Sequence, residues 1–491
     1  MREIKFDFNN MFSFSIGKEH GVTEADLDRM SGIISKAHKH LRSIIKRERN
    51  RISLELEWHS LPWQDRKTIA TVEELGRQIA QKFENVISLG IGGSYLGLKA
   101  AQDAFSPLYY NEFSSLRGGR PRIYFEGNNL DPETLSALLN NLNPKKTFVI
   151  VISKSGETIE TKSAFAVVES WLKKGVGRYY GRQILAITDP ESGTLRKRVK
   201  EEQSKDILSF RSLPLPRGVG GRFSEFNMGL LHLAIIGVKL DEVLSGAQAM
   251  ARRCSSPFIF KNPAYMYALL QTILYRQKGK SIAILMAFAE SLKSTADWYC
   301  QLLAESTGKK YARKIKTASN AGLEEWVRDE KRIINVGRTP VSARGSSDLH
   351  SLQQNNIEGE NNKTVTFIKV ENFRHNIKIP GSGDFLSGKY YAGLLSLAQE
   401  ATEWALVRES RPNCTIIMPG INPYHWAELI FFFEMATAFE GELLNINGFD
   451  QPGVEGYKNY MYYKLRKPGL SKQIAQEIER YPLLKKSRFI I

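Results

Sequence analysis

The sequence predicts an α/β protein: two α/β/α sandwiches with mainly parallel sheets, plus N-terminal helices and a C-terminal helical segment. Three observations carry that prediction. Short apolar runs at residues 85–89, 147–152 and 183–188 read as buried strands. The first two lead into amphipathic stretches, one running through Ala104 and one covering 160–173. Strands alternating with helices of about 10–15 residues pack as a parallel sheet covered on both faces. The chain has 491 residues, and single cores rarely grow past roughly 300 residues, so more than one domain is expected.

The elements follow in order. Residues 24–47 and 72–83 carry apolar side chains at helical spacing. Residues 122–125 read as a strand, and 132–142 as a helix opened by Asp131. A second alternation begins with a helix over 259–279, a strand over 281–288 and a helix over 295–306. Strands follow at 364–370 and 415–418, separated by a long helix from 387 to 408; a second long apolar helix covers 423–444. The expected division is a helical segment, 1–60, a smaller phosphate-binding sandwich, 61–230, and a larger one, 231–491, that includes the tail. No Gly/Ser-rich linker separates the sandwiches, so they are expected to lie closely apposed.

Composition narrows the class. A hydrophobic share of 42% and a charged share of 25% are ordinary for a globular protein. The first residues are charged where a signal peptide needs an apolar core, and no apolar run approaches the roughly 20 residues that span a bilayer. A cytoplasmic location is therefore expected. Cys254, Cys300 and Cys414 are too widely spaced for a disulfide framework or a zinc site, and are expected to be buried free thiols. The net charge of +17 is scattered over the chain without a nucleic-acid fold signature. A surface that attracts small anionic substrates and a merely solvated surface explain it equally well.

The stretch 151–161, V-I-S-K-S-G-E-T-I-E-T, puts hydroxyls and an ammonium around Gly156, between a strand and a helix. Unpaired backbone N–H groups and the positive end of the helix dipole suit such a place to a phosphate. An ordinary capped turn is the alternative on this stretch alone. Gly90-Ile-Gly-Gly-Ser94 is a second glycine cradle. It lacks the third glycine of a dinucleotide fingerprint, and the 156–163 stretch lacks the second glycine of a Walker loop. Both near misses argue against nucleotides and leave room for a smaller anion.

Four more stretches stand out. Gly220-Gly-Arg222-Phe-Ser224 sets a guanidinium after flexible glycines, or else is a surface Arg. Gln301-Leu-Leu-Ala-Glu305-Ser-Thr-Gly-Lys309 ends an apolar helix with a carboxylate, or else that Glu is solvated. Gly345-Ser-Ser-Asp348-Leu-His350-Ser351 offers a loop His beside an Asp, or only a solvated loop. Residues 448–458 concentrate glycines, a proline, acids and Lys458, too constrained for a loose tail.

Taken together these stretches resemble the phosphoglucose isomerase family, of the bacterial type. The motifs are L-G-I-G-G-S at 89–94, V-I-S-K-S-G-E-T at 151–158, G-G-R-F-S at 220–224 and A-E-S-T-G-K at 304–309. S-S-D-L-H-S at 346–351 and F-D-Q-P-G-V-E-G-Y-K at 449–458 complete the set, which covers most of the chain. One departure is Glu225-Phe-Asn227, where a more apolar sequence is expected.

The resemblance implies two sugar-isomerase (SIS) domains and reversible conversion of glucose 6-phosphate to fructose 6-phosphate through a cis-enediol. It implies Glu305 as the base that moves a proton between C2 and C1, a task suited to a carboxylate. Arg222 would supply a fixed charge for the enediolate, with His350 and Lys458 opening the ring. Ser94, Ser153, Lys154, Ser155 and Thr158 would grip the phosphate, and Gly93 and Gln451 would help place the sugar. The family works as a homodimer in which the partner subunit contributes the histidine, so His350 is expected to act across the interface. No metal, cofactor, nucleic acid or membrane partner is implied. The competing readings are an isomerase that also takes mannose 6-phosphate and a silent sugar-phosphate binder. A mere binder has no use for a carbon-proton base such as Glu305.

Overall fold

Strand β1 (Lys5–Asp7) opens the chain, and after the helices Glu24–Ile45 and Arg66–Lys82 the first sheet begins. The computed structural model describes residues 2–318, 323–381 and 383–491. The first sheet contains β2 (Asn85–Leu89), β3 (Arg122–Glu126), β4 (Thr147–Ile152), β5 (Ile184–Thr188) and β6 (Arg211–Pro214). Its order is β3-β2-β4-β5-β6, with every neighbouring pair parallel. All residues of β2, β4 and β5 are buried, which is why these strands read as unbroken apolar runs: helices cover both faces. The helix after β3, Pro132–Asn141, starts as its sequence demands, with Asp131 accepting from the Glu133 N–H and Pro132 in the first turn.

The second sheet contains β7 (Ile282–Ala287), and after a separate hairpin, β8 (Lys309–Ala318) with β9 (Leu323–Val336), it continues with β10 (Thr339–Arg344), β11 (Lys363–Asn372) and β12 (Asn413–Gly420). The order is β1-β12-β11-β7-β10, parallel except for β1 against β12. The expected α/β class with mainly parallel sheets is what the chain forms.

Between the sheets' helices runs Pro423–Leu444, capped by Asn422 and closed by Asn445 at φ +54°. Every residue from His425 to Gly441 is buried. Its hydrophobic side chains pack on the helices Leu240–Arg253 and Pro263–Lys278. Its buried Glu440 pairs through both carboxylate oxygens with Arg338, whose Nη2 lies 2.7 Å away.

Three sequence expectations are corrected. The helix expected from 387 begins at Tyr391, because Gly388 (φ +75°) and a bridge between Lys378 and Tyr390 hold the preceding residues in a turn. The helix expected over 259–279 splits: Asn262 caps a new start at Pro263, and Gly279 at φ +71° ends it. Cys254 and Cys414 are buried free thiols, but Cys300 is only half-buried. Among the described residues no helix is long and apolar enough to cross a membrane.

Residues 449–491 form a second compact unit. It holds the helices Glu455–Lys464 and Lys472–Arg480, the latter capped by Ser471.

Candidate active site

The two cradles follow neighbouring parallel strands. After β2 the chain turns tightly at Gly92–Ser94, with Gly92 at φ +59°. After β4, Ser153 is buried and its Oγ accepts from the Gly156 N–H (3.0 Å), while the Ser155 Oγ accepts from the Glu157 N–H (3.1 Å). Gly156 sits at φ +78°, and a Cβ there would lie 2.5 Å from the Leu195 nitrogen. Thr158 occupies the cap of the helix Ile159–Val176 without using its hydroxyl to cap it. Each serine thus shapes its own loop by accepting and keeps its O–H as a donor. Lys154 is half-exposed, with Nζ 3.4 Å from the Glu55 carboxylate.

Arg222 is not a surface residue: only 2% of it is exposed. Phe223, stacked on Trp58 at 5.1 Å, anchors its turn. The guanidinium fans out, donating from Nε to the Ser306 Oγ (2.8 Å), from Nη1 to the Glu305 Oε2 (3.4 Å) and from Nη2 to the Gly448 carbonyl (2.9 Å). Glu305 lies in the last turns of the helix Lys293–Thr307, with its side chain about a quarter exposed. Its Oε1 accepts from the Gln301 Nε2 at 3.0 Å, one helical turn earlier. The carboxylate is therefore held at both oxygens and still reaches solvent on one side.

Glycines bring these parts together. A Cβ on Gly93 would fall 2.0 Å from the Gly221 carbonyl oxygen, and one on Gly92 would fall 2.8 Å from the Gln301 Nε2. The first cradle, the Arg222 turn and the Glu305 helix meet because two successive residues lack side chains. A Cβ on Gly97 would likewise meet Glu225, whose Oε1 accepts from the Trp298 Nε1 at 2.7 Å. The acidic residue that stood out after G-G-R-F-S is thus buried beneath the turn. Burial raises its carboxyl to about 7, and the neighbouring buried Glu434 is raised well above the carboxylate range by burial and by Glu225.

The remaining sequence candidates are placed differently. His350 is exposed in the loop after β10, and its ring makes no hydrogen bond among the described residues. Asp348, expected beside it, turns away: its carboxylate accepts from the Arg344 N–H and the Ser351 hydroxyl, each at 2.8 Å. Gln451 and Lys458 belong to the C-terminal unit. There Lys458 lies in the first turns of the helix Glu455–Lys464, with Nζ 3.0 Å from Glu455.

Three contributors were not singled out from the sequence. Gln301 and Ser306 orient Glu305 and Arg222, and only the Gln-x-x-x-Glu spacing signals the first. Glu55 reaches Lys154 across 99 positions, which no local pattern announces.

A family model described as phosphoglucose isomerase matches residues 67–325 and 399–477. The glucose-6-phosphate isomerase of Carboxydothermus hydrogenoformans is 40% identical, over 99% of each chain. That of Acetivibrio thermocellus is 32% identical over 98% of this chain and 100% of its own. Among solved structures, a hypothetical protein from Thermus thermophilus matches with a TM-score of 0.79 at 29% identity, covering 94% of this chain and 99% of that one. A glucose-6-phosphate isomerase from Chlamydia trachomatis shares the fold, with a TM-score of 0.72 at 19% identity over 96% of each chain. With a family model over more than half its residues and a relative 40% identical along nearly its whole length, the chain belongs to the phosphoglucose isomerase family.

Proposed function

We propose that this isomerase interconverts glucose 6-phosphate and fructose 6-phosphate, as a cytoplasmic homodimer serving glycolysis and gluconeogenesis. The observation that carries the reading is the Glu305 carboxylate, held between Gln301 at 3.0 Å and the buried Arg222 at 3.4 Å. A base that lifts a proton from one carbon and returns it to the next must keep a fixed direction, and two hydrogen bonds supply that.

In this reading Ser94, Ser153, Lys154, Ser155 and Thr158 grip the 6-phosphate, displacing Glu55 from Lys154. Gly93 and Gln451 help to place the sugar chain. Glu305 then takes the C2 proton of the open-chain aldose and delivers it to C1 through a cis-enediol. Arg222, which stays protonated at any working pH, stabilises the oxygen charge that develops. His350 and Lys458 protonate and deprotonate the ring and hydroxyl oxygens during opening. An imidazole suits this because its two ring nitrogens can donate and accept a proton. The chemistry asks for no metal or organic cofactor. The two sandwiches, 61–230 and 231–491, are read as SIS domains, with 1–60 packed on the larger one. Exposure of His350, with no hydrogen-bond partner for its ring among the described residues, supports its acting in the neighbouring subunit's site.

The test is a coupled assay started with fructose 6-phosphate, without added metal or nucleotide. Formation of glucose 6-phosphate, with mannose 6-phosphate run as the comparison substrate, is the expected result. Binding of fructose 6-phosphate without turnover would identify a silent binder and refute the reading.

A further inference from the structure

The N-terminal ends of three adjacent parallel strands each bring a cation to one place. Lys280 precedes β7, Lys363 begins β11, and Arg411 precedes β12; Lys363 is the register partner of Ile282. Lys278, at the end of the helix Pro263–Lys278, and His20 stand beside them. Only 1% of Lys280 is exposed, an unusual state for a lysine. Its Nζ donates to the Asn361 carbonyl (2.5 Å) and side-chain oxygen (2.8 Å), and lies 3.4 Å from the His20 Nδ1. These partners are neutral dipoles. Among the described residues no carboxylate comes within ion-pair distance of Lys278, Lys280, Lys363 or Arg411. The Arg411 Nε and Nη1 are shielded from solvent and have no hydrogen-bond partner among the described residues.

Enclosed guanidinium N–H groups and a buried ammonium are costly unless an acceptor is supplied. The strain is visible in the cluster's own titration. Burial and the Arg411 charge push Lys280 down to about 8. Lys363 is lowered by burial and by Arg411, and His20 by burial and by Lys280. The acidic side chains felt there are Glu19, whose side chain is 87% exposed, and Glu360, which acts on Lys363. Neither enters the cluster as an ion-pair partner of these cations.

We infer that Lys280, Lys363 and Arg411 form a binding site for a phosphate group, separate from the residues proposed to hold the substrate. A phosphate dianion offers several acceptor oxygens to a guanidinium edge and two ammonium groups at once, a match that water or a single carboxylate does not make. The group comes either from free phosphate or from a phosphate ester.

The test titrates the full-length protein with inorganic phosphate, in a Lys154→Ala background that weakens the proposed substrate cradle. Saturable binding by calorimetry is expected to persist in that background. It is expected to fall at least tenfold when Arg411→Gln or Lys280→Met is added, and to be partly rescued by Arg411→Lys. If Lys280→Met does not fold, Arg411→Gln decides. Amine titration of Lys280 by NMR gives an independent readout: phosphate should raise it from about 8 toward the ordinary lysine value of 10.5. Methyl phosphate binding equally well identifies an ester as the occupant and its exclusion identifies free phosphate; either supports the site. Loss of saturable binding in Lys154→Ala alone, or equal affinity in all these variants, would overturn the proposal.

Discussion

Gly93 and Gly221 pack backbone against backbone, so closely that a Cβ on the first would lie 2.0 Å from the carbonyl oxygen of the second. This contact joins the glycine cradle after β2 to the turn that presents Arg222. Gly93→Ala is therefore expected to push the Arg222 turn away. Overpacking of this kind costs typically about 1–3 kcal/mol of stability, and a misplacement of about 1 Å can cost on the order of 100-fold in rate. Thermal unfolding and steady-state kinetics check both. Wild-type kcat in a folded Gly93→Ala enzyme would show that the contact does not set the geometry.

Glu305→Gln keeps the shape and the Gln301 contact but removes the proposed base. The expected loss in kcat is about 10²–10⁴, equivalent to roughly 3–5 kcal/mol, while fructose 6-phosphate still binds. Calorimetric binding beside a progress curve separates the two. Near-normal turnover would move the base elsewhere.

If Lys154 holds the phosphate as proposed, Lys154→Ala is expected to raise KM for phosphorylated sugars much more than it lowers kcat. Its present partner, Glu55, is partly exposed, so losing that pair costs little stability. An unchanged KM would count against the cradle.

If His350 serves the neighbouring subunit, two inactive variants should rescue each other. A hybrid dimer of Glu305→Gln and His350→Ala chains carries one intact site, so random mixing restores about a quarter of wild-type activity in a two-fold symmetric dimer. Mixtures that stay inactive after confirmed subunit exchange would place His350 in its own chain's site.

The buried Glu225 and Glu434 give a pH dependence of stability. Glu225 is raised from 4.5 to about 7 in the fold. Its stabilising contribution is thus complete below the unfolded value of 4.5 and is lost as pH rises through about 7. The buried His232, lowered to about 4, acts in the opposite sense, favouring the fold above its unfolded value. Comparing Glu434→Gln with wild type isolates the pair. The variant should be the more stable above about pH 8, and the difference should shrink toward about pH 5. Parallel melting curves across that range would contradict the assignment.

Much of this architecture could be read without coordinates, for physical reasons. Strands β2 and β4 are buried on both faces and so spell continuous apolar runs, and Asn422-Pro423 and Asn445 bracket their helix with explicit capping chemistry. The hairpin β8–β9 left no such trace. Charged residues appear on both of its faces, as in Lys-Tyr-Ala-Arg-Lys, so no apolar alternation marks it. Edge strand β10 was hidden by Pro340, which lacks a backbone N–H and is tolerated at an edge where no donor is needed. Within the site, periodicity located Glu305 on a helix but could not bring it to Arg222, 83 positions away in the chain. That meeting depends on glycines whose absent side chains carry no pattern. Glu55, at φ +59° without being glycine, had no local signal either.

The third arm of Arg222 reaches the Gly448 carbonyl, at the residue where the first compact unit ends. A lysine at that position would keep the charge but has no planar fork to serve a carboxylate, a hydroxyl and a backbone oxygen together. Replacing this one side chain would leave the Gly448 carbonyl, the Ser306 hydroxyl and the Glu305 carboxylate without that donor at once. In a lineage that gave up isomerisation and kept only sugar binding, position 222 would therefore still resist drift, retained as a fastening whatever its part in the reaction.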